Sequence, residues 1–478
     1  MKLKIKNKIN FSNVLSIISI LLNTYLLNLI LKIDIIPAKY TLVVAGIIYV
    51  FNIIFIVFSK IKKIRIVGYI LLIIMIISSI IGIFYLNSTN NFLNKAFENA
   101  SNINEINYYV IVNKDSNYKN INDLKSNKLY YYNEERNINK AINKLKTKTD
   151  FSKNTYEDIS LMFEDLKSNK ISFVLVSQVY YDLITTIDDN YSKDNYKVLY
   201  KFKLSEKLNV SKSTESDSFN IFIGGRDFTN TNMDFNMIMT INTKTHEVLF
   251  TSMPRDYYIE VDGYNGKKDT LSYMGALGIT TNMKSIEKLF NTKIDYYLSV
   301  KTSSLVRLVD EVGGINYCSE QEYTTTHALI LDSYDDTKGK KLFVKKGCQH
   351  LNGIETLTVA RERIAHKGGD RQRQKNCQAI IIDIFEQLIS TNTITNYNNI
   401  LNSVSDLYET TIPKKVITNV IKDTVNNGNK WKFETQSVNG EDTKDYVHMT
   451  NLKDWVTYPD MNTVNNASIK INQVLNNK

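Results

Sequence analysis

Hydrophobic and polar positions change their pattern along the chain. Three apolar runs, at about 14–31, 40–58 and 66–86, each approach the length of about 20 residues that a helix needs to cross a bilayer. Beyond residue 86 the apolar segments are shorter, and strand and helix periods are interleaved. The pattern predicts three transmembrane helices at 1–86 followed by α/β domains.

Basic residues around the apolar runs indicate the orientation of this anchor. Four lysines precede the first run and a basic cluster separates the second run from the third, whereas the connection at 32–39 is less basic. Short cytoplasmic loops carry the excess of Lys and Arg. We therefore predict a multi-pass protein of the cell membrane with a cytoplasmic N-terminus. Everything after residue 86 would then be extracellular, where no ATP drives chemistry.

Two polar segments divide this outer part. Residues 87–104 are rich in asparagine, and we interpret them as a linker with a short helix. Residues 105–203 alternate apolar strands such as YYVIV and ISFVLVS with helical stretches, which predicts a small accessory α/β domain. Residues 204–217 are interpreted as a second linker, and residues 218–478 as the large domain.

The large domain begins with three strands, predicted at 220–224, 237–242 and 247–253. If they are antiparallel and adjacent in order, the end of the first, the start of the second and the end of the third share one edge of the sheet. These three points carry Asp227, Asp234 and Arg255, respectively. Two carboxylates at one edge suit a hard cation such as Mg²⁺, although an ordinary role in turns would also explain them.

Helices and strands alternate after this point. Helices are predicted at 281–290 and 303–312, and strands at 296–300 and 315–318. The order favours a sheet covered by helices on both faces. We interpret the apolar helix surfaces mainly as core, with the lining of a cavity as the alternative.

Arginines are concentrated in the segment 359–382, VARERIAHKGGDRQRQKNCQAIII. We interpret it as a buried strand, a glycine turn and a helix with Asp370 as N-cap, so that Arg361 and Arg363 share one face of the strand. The arginines of the segment are Arg361, Arg363, Arg371 and Arg373. Guanidinium groups near a helix N-terminus suit phosphate or pyrophosphate. The alternative is that they pair with carboxylates on a solvated face.

Charge and cysteine content change this picture little. Lys and Arg number 59 against 49 Asp and Glu, but the richness in Lys, Asn and Ile points to an AT-rich coding background, and we expect no nucleic-acid partner. Of three cysteines, Cys318 and Cys348 lie in polar contexts of a compartment that permits disulfides, and we predict that they pair. Cys377 falls on an apolar helix face and is interpreted as a buried thiol.

Several segments of 218–478 occur in an order that resembles a known family. They include FNIFIGGRD, SMPRDYYIEV, LVRLVDEVGGI and VARERIAHKGGDRQRQKN. This part of the chain resembles the LytR-CpsA-Psr family, and the three-span anchor with an accessory domain resembles its capsule-type, CpsA-like branch. The resemblance implies an αβα sandwich around a mixed sheet, with a deep apolar tunnel for a polyprenyl chain.

The resemblance also implies an activity. It is an extracytoplasmic, Mg²⁺-dependent phosphotransferase that moves a glycopolymer, of capsular polysaccharide or teichoic acid type, from undecaprenyl pyrophosphate to peptidoglycan. The implied catalytic residues are Asp227, Asp234, Arg255, Arg361, Arg363 and Arg373, with Asp227 and Asp234 also as metal ligands. The implied substrate-binding positions are Lys268, Arg371, Cys377 and Gln378.

Two positions depart from the family pattern: Asn232 replaces an arginine, and Cys377, followed by Gln378, replaces a glutamine. Two alternative functions keep the same residues. Water in place of the sugar hydroxyl would make the protein a polyprenyl-pyrophosphate phosphatase. A passive anion site would make it a membrane-anchored sensor of the cell envelope.

Overall fold

The computed structural model describes residues 11–34, 36–98, 103–135, 137–187, 191–207, 216–227, 232–330, 339–365, 367–388, 408–427 and 431–477. The chain divides into two compact units. The first contains Met1–Asn99, Ile394–Asp406 and Ile412–Trp431, and the second contains Ala100–Thr393, Leu407–Thr411 and Lys432–Lys478.

The first unit contains helices α1 (Phe11–Ile33), α2 (Ala38–Lys60) and α3 (Arg65–Glu98). All three are long and apolar enough to cross a membrane, which confirms the three predicted apolar helices. In the segment 87–104, predicted as a linker with a short helix, residues 87–98 are helical and continue α3. The helical pattern persists there although the sequence becomes polar.

Polar side chains join the three apolar helices. The hydroxyl of Ser79 donates to Asn23 Oδ1 at 2.6 Å, and Asn52 Nδ2 donates to Ser19 Oγ at 2.8 Å. In a hydrocarbon environment a polar side chain needs a protein partner, so such bonds favour one arrangement of the helices. The apolar faces outside this network remain exposed, as expected for lipid-facing surfaces.

The accessory domain is an α/β domain in the second unit. Its strands are β1 (Ile103–Asn113), β2 (Lys128–Tyr132), β3 (Ser152–Tyr156), β4 (Phe173–Ser177) and β5 (Tyr196–Lys207), and its helices are α4 (Ile138–Lys146), α5 (Ile159–Lys167) and α6 (Gln178–Ile187). The described strands form a mixed sheet with the order β3-β2-β4-β1-β5. The polar, mostly exposed edge strand β3 has no apolar alternation, which explains why the sequence did not predict it. Strand β5 extends to Lys207, so the predicted linker at 204–217 begins inside it.

The large domain contains both strands and helices. Its strands are β6 (Ser218–Arg226), β7 (Met233–Asn242), β8 (Glu247–Met253), β9 (Tyr258–Glu260), β10 (Lys268–Thr270), β11 (Tyr296–Lys301), β12 (Ile315–Ser319), β13 (Tyr323–Ala328), β14 (Lys341–Val344), β15 (Gly347–Leu351), β16 (Tyr408–Thr410), β17 (Lys432–Ser437), β18 (Gly440–Val447) and β19 (Leu452–Pro459). Its helices are α7 (Leu271–Met274), α8 (Ile279–Phe290), α9 (Thr302–Glu311), α10 (Gly353–Arg361), α11 (Gly369–Leu388) and α13 (Met461–Asn476). Between them, α12 (Lys414–Asn427) belongs to the first unit.

The central sheet of the large domain is mixed. Among the described strands its order is β16-β11-β6-β7-β8-β17, with β6, β7 and β8 antiparallel and β11 and β17 parallel to their neighbours β6 and β8. Because side chains alternate along a strand, Phe222 and Ile238 face a core that α8 and α13 complete. Their neighbours Ile223 and Met239 face α9, α10 and α11 on the other side. The predicted αβα sandwich is confirmed.

The strand predicted at the start of 359–382 is wrong, because residues 353–361 form helix α10. The run TLTVA has the β-branched composition of a strand, but Asn352 and Glu355 form a capping box that starts a helix. The two N–H to side-chain oxygen distances of this box are both 3.0 Å. Arg361 therefore ends a helix and shares no strand face with Arg363. Asp370 is also not the N-cap, since it lies in the first turn of α11.

The accessory domain and the large domain share a hydrophobic cluster. Ala276 and Met449 of the large domain are buried with residues of α5 and α6. Near this cluster, Oε1 of Glu134 lies 3.4 Å from Nζ of Lys267, and Oε2 of Glu134 lies 3.6 Å from Nδ1 of His448. The imidazole ring of His448 is half-buried and makes a T-shaped contact with the ring of Tyr264. Burial of the imidazole lowers the pKa of His448, so this contact holds a neutral ring at neutral pH. The two domains are therefore packed as one body.

The predicted disulfide between Cys318 and Cys348 is present. The two residues are directly opposite each other in the antiparallel pair β12 and β15. Cys377 is a free thiol, and burial raises its pKa to about 12. Its thiol group is therefore protonated at neutral pH.

Replacing Cys318 and Cys348 together by Ser is expected to lower the free energy of unfolding by about 3 kcal/mol, because the disulfide closes a loop of 30 residues in the unfolded chain. Thermal unfolding with and without dithiothreitol measures this effect. The reductant should lower the Tm of the wild type and leave the Tm of the double variant where it is. Equal sensitivity of both proteins would contradict the prediction.

Candidate active site

A cavity of about 320 Å³ lies between the sheet and helices α9, α10 and α11 of the large domain. Its interior is apolar and is lined by Ile223, Phe235, Met239, Leu298, Val300, Leu305, Leu308, Leu357, Ala360, Ile380, Ile381 and Ile384. The sequence pattern favours a filled core on these helix faces, whereas the structure has a cavity there. The interior suits a hydrocarbon chain, because it offers almost no hydrogen-bonding partner.

Polar residues join this lining at one end of the cavity. They are Arg226, Asp227, Asp234, Lys301, Arg361 and Arg373. Asp227 directly follows β6 and Asp234 lies at the start of β7, so the antiparallel pairing brings the two aspartates to one edge as predicted. Arg255 follows β8 and reaches the same edge, where its Nη1 lies 2.9 Å from Asp234 Oδ1. One site thus combines an apolar cavity with a charged mouth.

Asp234 lies among three guanidinium groups, those of Arg255, Arg363 and Arg373. Burial favours its neutral form, but the charges of Arg255 and Arg373 outweigh this effect and lower the pKa of Asp234. Arg373 is 7% exposed, and its Nη2 also donates to the backbone oxygen of Asp234 at 2.8 Å and contacts Asp370 at 2.6 Å. The low pKa keeps Asp234 ionised at neutral pH.

Arg363 is a cation without a partner. In the part of the chain that the structure describes, its guanidinium group forms no hydrogen bond or ion pair with protein atoms. Burial and the charges of Arg255 and Arg373 lower the pKa of Arg363, which still remains protonated at neutral pH. A half-buried, unpaired cation beside two others is an electrostatic site for a multivalent anion.

Glu362 explains how Arg361 and Arg363 are positioned. Its buried carboxylate accepts hydrogen bonds from the backbone N–H groups of Thr326, Ile364 and Ala365 at 2.5, 2.8 and 2.9 Å. Burial acts against ionisation, but these N–H bonds outweigh it and lower the pKa of Glu362. The ionised side chain thus fixes the turn between α10 and α11, with one arginine on each side of it.

Asp227 and Asp234 are the candidate metal ligands of this site. The described residues contain no group of three or more His, Cys, Asp or Glu side chains that could hold a metal ion. Mg²⁺ is nevertheless often held by one or two carboxylates and completes its shell with water and substrate phosphate. Asp227 and Asp234 are hard oxygen donors at the charged mouth, and they fit an ion of this kind.

The remaining predicted site residues occupy different positions. Cys377 lines the cavity and donates from Sγ to the oxygen of Ala360 at 3.4 Å. Gln378 is buried against the sheet, where Nε2 donates to Ser252 Oγ and to the Gln436 oxygen, both at 2.9 Å. We therefore attribute a packing role to Gln378.

Four basic residues of the prediction lie outside the lining of the described cavity: Arg255 and Arg363, which lie beside its charged mouth, and Arg371 and Lys268. Arg371 is exposed and donates from Nη2 to the backbone oxygen of Gly440 at 2.7 Å. Lys268 is also exposed, and its Nζ lies 6.0 Å from the ring centroids of Tyr258 and Tyr458. The structure thus separates these two residues from the cluster around Arg255, Arg363 and Arg373.

Sequence reasoning missed Arg226, Glu362 and Asp370 as parts of the site. Arg226 lines the cavity and donates from Nε to Ser299 Oγ at 3.3 Å. It immediately precedes Asp227 in the sequence, and this proximity was the signal from which its place in the site could have been predicted. Glu362 lies between Arg361 and Arg363, and no role had been predicted for it. Asp370 had been interpreted as a cap, whereas it pairs with Arg373.

The site combines a charged mouth with an apolar cavity, an arrangement that suits amphiphiles with anionic head groups. Residues 180–469 match the model described as the LytR_cpsA_psr family, and the chain belongs to this family. A second model, described as DNA polymerase processivity factor, matches residues 62–176. That range contains the whole of the apolar helix α3 and strands β1, β2 and β3 of the accessory domain.

Several relatives are named as transferases. The chain is 31% identical over 178 residues to the polyisoprenyl-teichoic acid–peptidoglycan teichoic acid transferase TagU of Enterococcus faecalis, which covers 37% of this chain and 54% of the relative. It is 27% identical over 222 residues to the Bacillus cereus protein of the same name, which covers 46% of this chain and 66% of the relative. The chain therefore matches between about half and two thirds of the length of these two relatives.

Solved structures are also similar to this chain. The protein gbs0355 of Streptococcus agalactiae is 23% identical, with a TM-score of 0.47 over 56% of this chain and 91% of its own. TagV of B. subtilis is 22% identical, with a TM-score of 0.45 over 55% of this chain and 99% of its own.

Changing Glu362 to Gln is expected to lower the free energy of unfolding by about 1–3 kcal/mol, because an amide N–H₂ would face backbone donors. The wild-type contribution should be present above the unfolded pKa of about 4.3 and should disappear as the pH falls through the lower folded pKa. Urea unfolding between pH 3 and 7 measures this dependence.

The exposed neighbour Glu322 provides a matched control. Glu322→Gln should leave both the stability and its pH dependence near those of the wild type. If Glu362→Gln and Glu322→Gln behave alike, Glu362 does not anchor the turn.

Proposed function

We propose that the chain is an extracytoplasmic phosphotransferase that moves a glycopolymer from a polyprenyl pyrophosphate to peptidoglycan. The observation that carries the proposal is a single cavity whose apolar interior ends at Arg361, Arg373, Asp227 and Asp234. A lipid pyrophosphate has the same two halves. The names of the TagU relatives, which contain both substrates, support the choice.

The apolar interior binds the hydrocarbon of the donor. Each methylene group that moves from water into such a cavity contributes about 0.8 kcal/mol. Residues of β6, β7 and β11 form one wall, and residues of α9, α10 and α11 form the other. Binding in this cavity would place the pyrophosphate at the charged mouth.

The guanidinium groups of Arg255, Arg363 and Arg373 bind the pyrophosphate oxygens. An acceptor hydroxyl of peptidoglycan attacks the phosphorus atom that carries the polymer, a new P–O bond forms, and the bond to the bridging oxygen breaks. The lipid phosphate leaves with the negative charge of that oxygen, which the arginines neutralise as it develops. The energy comes from the pyrophosphate bond, so the reaction needs no ATP.

Asp227 is the proposed acceptor of the hydroxyl proton. The low pKa of Asp234 makes that carboxylate a weak base, and its Oδ1 is already paired with Arg255. Asp227 and Asp234 would together hold Mg²⁺, which supplies positive charge to the pyrophosphate oxygens when it is bound. We keep Lys268 and Arg371 as polymer-binding residues outside the lipid cavity.

The membrane topology follows from the same proposal. The basic residues that precede α1 and separate α2 from α3 favour a cytoplasmic N-terminus. With three spans, the second unit then lies on the outer face of the cell membrane, where lipid-linked polymer and peptidoglycan are both present. Labelling of introduced cysteines from outside intact cells tests this orientation.

The activity is tested with the full chain in detergent, a polyprenyl-pyrophosphate oligosaccharide and peptidoglycan oligomers, with and without Mg²⁺. Mass spectrometry should show a phosphodiester-linked adduct that requires Mg²⁺. Release of lipid phosphate without an adduct would support a phosphatase. Donor binding with no turnover would support a sensor.

Arg363→Ala is expected to lower kcat by about 10²- to 10³-fold, because the variant loses one group that neutralises the developing charge. The exposed Arg307 is the matched control, and Arg307→Ala should keep wild-type turnover. The same adduct assay, with initial rates, measures both variants. An Arg363→Ala variant as active as Arg307→Ala would remove Arg363 from the mechanism.

A large side chain placed in the cavity should weaken the binding of donors with long lipids more than that of donors with short lipids. Ile381→Trp is expected to raise the KM ratio of an undecaprenyl donor to a short-chain donor about tenfold, which corresponds to the loss of about two buried methylene groups. The exposed Ile469 is a matched site, and Ile469→Trp should leave the ratio unchanged. A ratio unaffected by Ile381→Trp would place the lipid elsewhere.

A further inference from the structure

An exposed β-hairpin lies beside the candidate active site. Strands β18 and β19 pair in antiparallel register, with Lys444 opposite Trp455 and Tyr446 opposite Lys453. Because strand residues alternate between faces, these four side chains share one face of the hairpin. We call them the aromatic-lysine face.

This face is unusually exposed for its composition. Trp455 is 59% exposed and Tyr446 is 56% exposed. Lys444 Nζ lies 5.1 Å from the centroid of a Trp455 ring, and Lys453 Nζ lies 5.3 Å from that of Tyr446. Among the described residues, neither ammonium group lies within 4.0 Å of a carboxylate oxygen. Large aromatic rings exposed beside unpaired cations mark an interaction surface.

Three of the four acidic residues of β18 and β19 lie on the opposite face of the hairpin. Asp445 and Asp454 alternate to the opposite face, where they accept hydrogen bonds from the hydroxyl groups of Tyr458 and Tyr273. On the aromatic-lysine side, Asp442 accepts a hydrogen bond from Thr457 Oγ1 at 2.7 Å. The charge presented by the aromatic-lysine face is therefore positive.

Contacts with neighbouring parts of the protein fix both ends of the hairpin. At its base, Arg371 donates to the oxygen of Gly440 at 2.7 Å, and the N–H of Thr457 donates to the oxygen of Asp256 at 2.7 Å. Asp256 is the neighbour of Arg255 in the charged mouth. Near its turn, Met449 is buried against the accessory domain and Asn451 Nδ2 lies 3.2 Å from Asp158 Oδ2.

The geometry of the hairpin gives a path away from the mouth. At roughly 3.3 Å per residue, Trp455 lies about 7 Å and Lys453 about 13 Å along β19 from Thr457. An extended chain attached to the pyrophosphate would meet Trp455 first and Tyr446 with Lys453 next. A surface fixed at both ends also loses little entropy on binding.

We propose that the aromatic-lysine face binds the polymer part of the donor, an anionic sugar-phosphate chain. Apolar faces of sugar rings pack on Trp455 and Tyr446, and phosphate groups bind Lys444 and Lys453. The inference rests on the proposed function, since the polymer is the group that the pyrophosphate carries. The positive charge of the aromatic-lysine face favours an anionic polymer over a neutral glycan. The hydrogen bonds of Arg371 and Asp256 connect the hairpin to the charged mouth, and this connection favours the donor polymer over the acceptor as the ligand.

The first test compares donors of two lengths with the full chain in detergent. The ratio of kcat/KM for a donor with several sugar-phosphate repeats to that for a disaccharide donor should fall about tenfold in Trp455→Ala. Trp455→Phe keeps an aromatic ring and should restore most of the ratio. Phe343→Ala, at an exposed aromatic residue outside the hairpin, is the control and should keep the wild-type ratio. An unchanged ratio in Trp455→Ala would overturn the proposal.

The second test does not depend on turnover. Trp431 and Trp455 are the two tryptophans of the chain, so Trp431→Phe leaves Trp455 as a fluorescent reporter. Soluble poly(glycerol phosphate) should quench this reporter, and Lys444→Gln with Lys453→Gln should weaken the apparent binding about tenfold. Quenching without transfer from any donor would refute the proposed function and leave the binding face supported.

Two other outcomes would assign the face to a different ligand. In proteoliposomes, quenching of Trp455 by brominated phosphatidylglycerol would show that the face meets the membrane. Quenching by soluble peptidoglycan strands but not by poly(glycerol phosphate) would show that it binds the acceptor. Either result would overturn the assignment to the donor polymer.

Discussion

Mutual repulsion of guanidinium groups is the constraint on which the charged mouth depends. Arg255, Arg363 and Arg373 are close enough that the first and the last lower the pKa of Arg363. Asp234 and Asp370 each pair with one of these arginines, and Glu362 fixes the backbone beside Arg363 through N–H groups. The protein thus holds Arg363 in place without neutralising it. An anionic ligand relieves the remaining repulsion.

The cavity follows from the alternation of one sheet. In β6 and β7, Phe222 and Ile238 complete a packed core with α8 and α13, whereas Ile223 and Met239 face open space under α9, α10 and α11. Well-packed interiors contain few voids larger than a water molecule. An apolar space of about 320 Å³ on one side of a sheet that is filled on the other is therefore the place where we propose that the lipid binds.

Local rules predicted much of this arrangement. Antiparallel pairing was sufficient to bring Asp227, Asp234 and Arg255 to one edge, and helical spacing identified α8 and α9. The same rules failed for α10, because a β-branched run was given more weight than the capping box of Asn352 and Glu355. The positions of Gln378, Lys268 and Arg371 depend on contacts across the fold, such as that between Arg371 and Gly440, which no local pattern contains.

The shared cluster between the accessory domain and the large domain affects how this protein can be divided. Met449, in the turn between β18 and β19, is fully buried among residues of α5 and α6. A fragment that starts at residue 218 would expose this side chain and release the turn of the hairpin. The accessory domain therefore supports the turn of the hairpin, and the polar segment at 204–217 does not separate two independently packed units.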